Sequence, residues 1–132
     1  GLLDIEAMCQ AAPLLEGEHN FKSFCSVNSL AKNHVRNVRQ CQVKKDGDFL
    51  YLDIYADGFL YNMVRIIAGT LLSIGRKKMN AFEIPQIIEG SSRFLAGSTA
   101  PAKGLTLIRV DYQKPDQFFS KADSLDMPSL FY

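Results

Sequence analysis

The chain has 132 residues, 47% of them hydrophobic and 22% charged, with fifteen Lys and Arg against fourteen Asp and Glu. This balance excludes a disordered or low-complexity segment, and a chain of this length buries roughly two-thirds of its unfolded surface without a metal or disulfides. A formal net charge of +1 marks neither a strongly basic nucleic-acid binder nor an acidic protein, so any polyanion site must come from local clustering.

Leu3 to Leu15 reads as a helix, with Asp4 as N-cap, Glu6 in its first turn, Pro13 kinking or ending it early, and Gly17 closing it. Glu18 to Asn33 is of mixed polarity around Phe21 and Phe24 and reads mostly as loop. Val35 to Lys44 and Phe49 to Ala56 read as two strands, joined across Lys45-Asp46-Gly47-Asp48 by an Asp-Gly hairpin signal. In the second strand Leu50, Leu52, Ile54 and Ala56 point one way, and Phe49, Tyr51, Asp53 and Tyr55 the other.

The strongest helix signal follows, from Leu60 to Ile74, closed by Gly75. Leu60, Met63, Val64, Ile67, Leu71 and Ile74 fall within an arc of about 100°, the width of a core-facing stripe. Asn62, Arg65, Gly69 and Ser73 lie on the other side. A shorter helix is expected between Asn80 and Glu89, where Asn80 and Glu83 resemble a capping box and Pro85 would cost a backbone bond. Gly90 to Lys103 reads as a loop, Leu105 to Tyr112 as a last strand, and Gln113 to Tyr132 as an irregular tail. The order α-β-β-α-α-β predicts an α+β domain over residues 1–112, an antiparallel sheet with helices packed on one face, and a tail over 113–132. A fourth strand of that sheet is unassigned: the Glu18–Asn33 stretch or another part of a longer protein would supply it.

Cys9, Cys25 and Cys41 are odd in number and lack a C-x-x-C pair, so they read as plain thiols of a reducing, cytoplasmic compartment. With His19 and His34 they do not make the short-spaced ligand pairs of zinc, and no metal or cofactor is expected. No apolar run reaches the roughly 18 residues of a membrane span, and no signal-peptide pattern is present. The start at Gly1 rather than Met reads as a piece of something longer.

Charge is unevenly spread. From His19 to Lys45 there are six cations (Lys22, Lys32, Arg36, Arg39, Lys44, Lys45) and no carboxylate, and Arg76, Lys77 and Lys78 form a second cluster. Such clusters neutralise phosphates and release their condensed counterions, and neighbouring Phe and Tyr rings could stack bases. Exposed strand charges and a run that complements a helix dipole explain the same residues without RNA. Arg65 stands out because Gly69, one turn on, leaves room for a backbone or a ligand to approach. An arginine fixed there could hold a carboxylate bidentately, keeping it ionised and aimed; a solvated helix arginine is the plain alternative.

Several stretches together resemble the C-terminal half of one family, the tRNA pseudouridine synthase A family. They run from Leu3-Asp4 through Met8, then Gly17-x-His19-x-Phe21-x-Ser23-Phe24. Next comes Gly58-Phe59-Leu60-x-x-Met63-Val64-Arg65-x-Ile67-x-Gly69-x-Leu71-Leu72-x-x-Gly75. Arg93 with Ala96-Gly97 follows, then Thr99-Ala100-Pro101-Ala102-x-Gly104-Leu105-x-Leu107 and Val110-x-Tyr112. The resemblance implies an isomerase, usually a homodimer, that turns uridine into pseudouridine in the anticodon stem-loop of tRNA without cofactor or metal. The target base is flipped from the stack to reach a catalytic aspartate. That aspartate belongs to a Gly-Arg-Thr-Asp motif absent from this sequence, as is an Arg-x-Tyr-x-Tyr stretch whose tyrosine packs on the base.

What carries over is Arg65, as the partner of that aspartate, and Leu105, as an apolar wall of the base pocket. Asn62 and Met63 adjoin Arg65 in the same motif and are assigned to the substrate with it. Lys22, Arg36, Arg39, Arg76 and Lys77 are the candidate RNA contacts. Departures from the family's usual residues are Asn20 within His19-Asn20-Phe21, Asn62 in place of a histidine, and Ser92 in place of an aspartate. The expectation is a ferredoxin-like C-terminal domain, inactive without its missing N-terminal half. A stand-alone RNA-binding or dimerisation module is the alternative.

Overall fold

A computed structural model describes residues 2–101 and the backbone of a strand at 106–112. Helix α1 spans Ile5–Ala11, and the Asp4 carboxylate caps it by accepting from the Ala7 amide at 3.1 Å. The α-helix ends early, as expected from Pro13, and does not reach Leu15. Pro13 sits in the first turn of a 3-10 segment, Ala12–Leu15, where its missing N–H is no loss.

The stretch expected to be mostly loop contains a short strand, β1, at Gly17–Asn20, and a 3-10 turn at Lys22–Phe24. Strands β2 (Val35–Asp46) and β3 (Phe49–Ala56) make the expected hairpin. Its turn is tighter than the four-residue signal: only Gly47 and Asp48 lie outside the strands, and Gly47 takes a φ of 60°, which costs glycine little. Helix α2 occupies Met63–Gly75 and α3 occupies Ile84–Gly90, the latter preceded by a 3-10 turn at Ala81–Glu83. Asn80 and Glu83 form the reciprocal capping box, and Pro85 falls in the first turn of α3, so no backbone bond is lost. The last strand, β4, is Thr106–Tyr112.

The four strands lie in chain order, β1-β2-β3-β4. The fold is α+β, and β1, β2 and β3 pair antiparallel as expected, but β4 runs parallel to β3. A parallel neighbour needs a long crossover, and the segment holding α2 and α3 is that crossover. The sheet is therefore mixed, and the fourth strand comes from the Glu18–Asn33 region, which contributes most of β1.

The core-facing alternation of β3 holds, with Leu50, Leu52, Ile54 and Ala56 all buried. Strand β2 contributes Val38, Cys41 and Val43, a spacing that breaks strict alternation. The reason is a bulge: Val38 pairs with Ala56 and Gln40 with Tyr55, leaving Arg39 as the extra residue. Asp53, on the opposite face of β3, is only 5% exposed, with Lys44 Nζ at 3.3 Å from its carboxylate and Arg109 of β4 opposite it in register. Helix α2 is buried well beyond the predicted stripe. Ile66, Ala68, Gly69 and Thr70 join the core residues, as befits a helix enclosed on several sides.

The cysteines are free thiols. Burial, together with the nearby Glu16 carboxylate, pushes the Cys41 thiol far up from its ordinary range; that carboxylate also accepts from the Cys41 amide at 2.8 Å. Cys25 is buried as well, whereas Cys9 is exposed, its thiol raised by partial burial and by Glu6. An aromatic disulfide reagent should accordingly titrate one thiol in the native chain and three after denaturation. Fast labelling of all three in the native state would contradict this packing.

Candidate functional site

The site begins at the entry to α2. Asn62 takes a left-handed backbone conformation with φ 61°, which asparagine tolerates better than most residues, and its side chain makes no capping bond. Arg65 follows three residues later, on the same side of the first turn. Both are half-buried.

Arg65 is held in place by a single neighbouring residue. Its Nε donates to the Ala100 carbonyl at 2.9 Å, and its own carbonyl accepts from the Ala100 amide at 2.9 Å. These bonds fix one edge of the guanidinium. No hydrogen bond or ion pair to another described residue engages its two terminal nitrogens. A planar fork held from behind, with its tips unengaged, matches a carboxylate presented from outside the described residues.

The loop that carries Ala100 is clamped to α2 by two glycines. A Cβ on Gly69 would lie 1.6 Å from the Ser98 carbonyl oxygen, and one on Gly97 would lie 2.8 Å from the Thr70 Cα. The room expected at Gly69 is therefore filled by a backbone, that of this same chain. Thr70 completes the clamp: its hydroxyl donates to the Ile66 carbonyl at 2.8 Å and accepts from the Gly97 amide at 2.9 Å. Arg93 braces the loop from its other end, with Nη2 donating to Thr99 Oγ1 at 3.2 Å.

The remaining candidates are scattered. Met63 is fully buried, so its side chain belongs to the core and offers no surface to a substrate. Leu105 lies outside the described residues. Lys22 is exposed on the turn after β1. Arg36 folds back on its own backbone, Nη1 donating to the Asn33 and Val35 carbonyls at 2.9 and 2.7 Å, and runs beside Gly58. Arg39 is the exposed bulge residue of β2. Arg76, Lys77 and Lys78 are exposed just beyond the C-terminal end of α2. Arg76 lies eleven positions after Arg65, about 16 Å along the helix axis. Lys77 and Lys78 border a hollow of about 450 Å³ that they share with Asp4 and Glu83, so their charge there is partly countered. The structure thus keeps the second basic cluster apart from Arg65.

Arg93 was the residue that charge clustering missed, because it stands alone in the sequence; its place in the Arg93-x-x-Ala96-Gly97 stretch was the signal. Among the described residues no group of three His, Cys, Asp or Glu could hold a metal, and no helix is long and apolar enough to cross a membrane.

Residues 11–113 match the family described as tRNA pseudouridine synthase. A tRNA pseudouridine synthase A of Moorella thermoacetica is 50% identical over 110 residues, which cover 83% of this chain and 45% of that protein. The proteins of the same name from Brevibacillus brevis and Shouchella clausii are each 49% identical, over 83% and 86% of this chain and 45% and 43% of their own lengths. The chain spans less than half the length of the curated relatives it matches.

Proposed function

Because the chain belongs to the tRNA pseudouridine synthase family, we propose that it is the C-terminal half of an enzyme that isomerises uridine in the anticodon stem-loop of tRNA. The observation that carries this reading is the fork of Arg65, gripped through Nε by Ala100 and engaged at its tips by no other described residue. A carboxylate seated on that fork stays ionised and points in one direction, as a group that must reach a glycosidic bond requires. The sequence has no Gly-Arg-Thr-Asp motif, so that carboxylate comes from the other half of the enzyme. Asn62, near Arg65 and with no capping bond from its side chain, is assigned to the substrate nucleotide in the same reading. Arg39 and Arg76 add sequence-independent contacts to the RNA backbone. The cytoplasmic, homodimeric form implied by the resemblance belongs to the same proposal, as does Leu105 in the base pocket.

Formation of the carbon–carbon glycoside displaces the hydrogen on C5 of the base, so tritium release from a [5-³H]uridine-labelled tRNA transcript reads the reaction directly. The 132-residue chain alone is expected to release none, and the full-length enzyme to turn over. Release by the chain alone would end the proposal, which assigns the nucleophile to the other half of the enzyme.

A further inference from the structure

We propose that a second, smaller cavity, between the 22–34 segment and the turn at 91–94, is a phosphodiester-binding subsite for RNA. In this subsite Lys22, His34 and Arg93 are the phosphate ligands, and Phe94 is a stacking platform beside them. The inference rests on the reading that the chain acts on RNA, and it assigns that contact to particular groups.

The cavity measures about 270 Å³, below the roughly 300–1,000 Å³ of pockets that enclose a whole small-molecule ligand, and suits a single anionic group. Lys22, His34 and Arg93 line it together with the serines at 26, 29, 91 and 92, and no Asp or Glu does. Nor do these cations have ion-pair partners elsewhere among the described residues, where the one salt bridge is Lys44 with Asp53. The larger hollow at Lys77 and Lys78 differs in kind, since Asp4 and Glu83 border it. A half-buried guanidinium in a wall without carboxylates is matched by an anion from solution.

The serines favour the same ligand. Ser29 Oγ accepts from the Ala31 amide at 3.1 Å, and Ser92 Oγ accepts from the Phe94 amide at 3.4 Å. Each hydroxyl therefore spends a lone pair on the backbone and keeps its proton to donate. The wall thus offers mainly donors, as phosphate oxygens require. Phe94 is 93% exposed, a large apolar ring held at the side of a cationic cavity, which is the pairing used by single-stranded RNA sites.

The position of the cavity gives it a purpose. Arg93 donates to Thr99, and Thr99 precedes Ala100, the residue that grips Arg65. A phosphate bound at Arg93 is therefore one short loop away from the arginine that faces the reacting group. Contacts to phosphate carry no sequence information but set the register of the nucleic acid on the protein.

The test is filter binding of a tRNA transcript to the 132-residue chain over a range of salt concentrations. Amide NMR shifts are followed in parallel with inorganic phosphate alone. Lys22→Ala and Arg93→Ala should each reduce the slope of log K against log salt by about one, and Arg93→Lys should recover the slope but not the full affinity. Phe94→Ala should weaken binding about ten-fold with the slope unchanged. Phosphate alone should shift the amides around Ser91 to Arg93. Lys22 is exposed, so its truncation leaves the core untouched and decides the matter if Arg93 variants disturb the loop.

If Lys22→Ala and Phe94→Ala bind tRNA like the parent while Arg39→Ala and Arg76→Ala bind it less well, the subsite is wrong and the RNA reading stands. If phosphate shifts the cavity amides but none of its variants alters tRNA binding, the cavity holds an adventitious ion only and the proposal fails. If the parent chain binds no tRNA at all, the RNA reading of this chain falls with it.

Discussion

Arg65→Ala, made in the full-length enzyme, is expected to lower kcat by about a thousand-fold while changing tRNA affinity only a few-fold. The asymmetry follows from where the guanidinium is held. Its Nε is committed to the Ala100 carbonyl, so the terminal nitrogens present a fixed fork and do not sweep the surface as those of a solvated arginine would. On the proposed reading, removing the fork leaves the candidate RNA contacts in place but frees the carboxylate to reorient and to take up a proton. Arg65→Lys should recover little, because an ammonium can neither form the paired bonds nor keep the bond to Ala100 in the same plane. Single-turnover rates and binding constants measured on the same transcript separate the two effects. Equal losses in both would make Arg65 an ordinary phosphate contact.

The second large effect is on stability. Alanine is the better helix former by about 1 kcal/mol, so helix propensity alone predicts that Gly69→Ala and Gly75→Ala both stabilise α2. The surroundings reverse that sign at Gly69, where the new methyl would enter the Ser98 carbonyl, a backbone atom that moves only if the 96–101 loop leaves the helix. Gly69→Ala is expected to cost about 3 kcal/mol, roughly 11 °C in Tm for a domain of this size. At Gly75 the nearest atom is the Met8 Sδ at 2.6 Å, on a flexible side chain that can swing aside, and the loss should be less than half as large. Urea or thermal unfolding of the two variants tests the contrast. Equal destabilisation would mean that the loop contact is not what makes Gly69 costly to replace. Because the same loop carries Ala100, Gly69→Ala should also loosen Arg65 and lower kcat in molecules that remain folded.

What was legible in the sequence was mostly local chemistry. Asp4 and the Asn80–Glu83 pair act as caps because capping depends on residues three apart, and the β2–β3 hairpin follows from its turn and its alternation. Strand β1 escaped because four residues, with Glu18 and Asn20 exposed at the edge of the sheet, show no apolar alternation to detect. The direction of β4 depends on where a long crossover delivers the chain, which no local window records. The burial of Asp53 on the supposedly open face is likewise a matter of cross-strand neighbours.

Within the site, the helical wheel placed Arg65 away from the main stripe and left two readings of Gly69, a backbone or a ligand. Only the fold shows that the backbone is the chain's own, which makes the glycine a means of orienting the arginine. Met63 illustrates the reverse error: lying next to Arg65 in a motif does not put a side chain on the same face, and at 100° per residue it points into the core.

The extra residue at Arg39 has a consequence for how faithfully the hairpin assembles. Ahead of it Val38 points inward, and beyond it Cys41 and Val43 do, so the two parts of the strand keep opposite parity. Sliding β2 by one position along β3 would carry buried groups to the outside without lining up the opposite-parity part, so no neighbouring alignment is nearly as good. A single unpaired arginine thereby acts as a ratchet tooth, sparing the long two-stranded ribbon the slipped forms that regular strands are prone to.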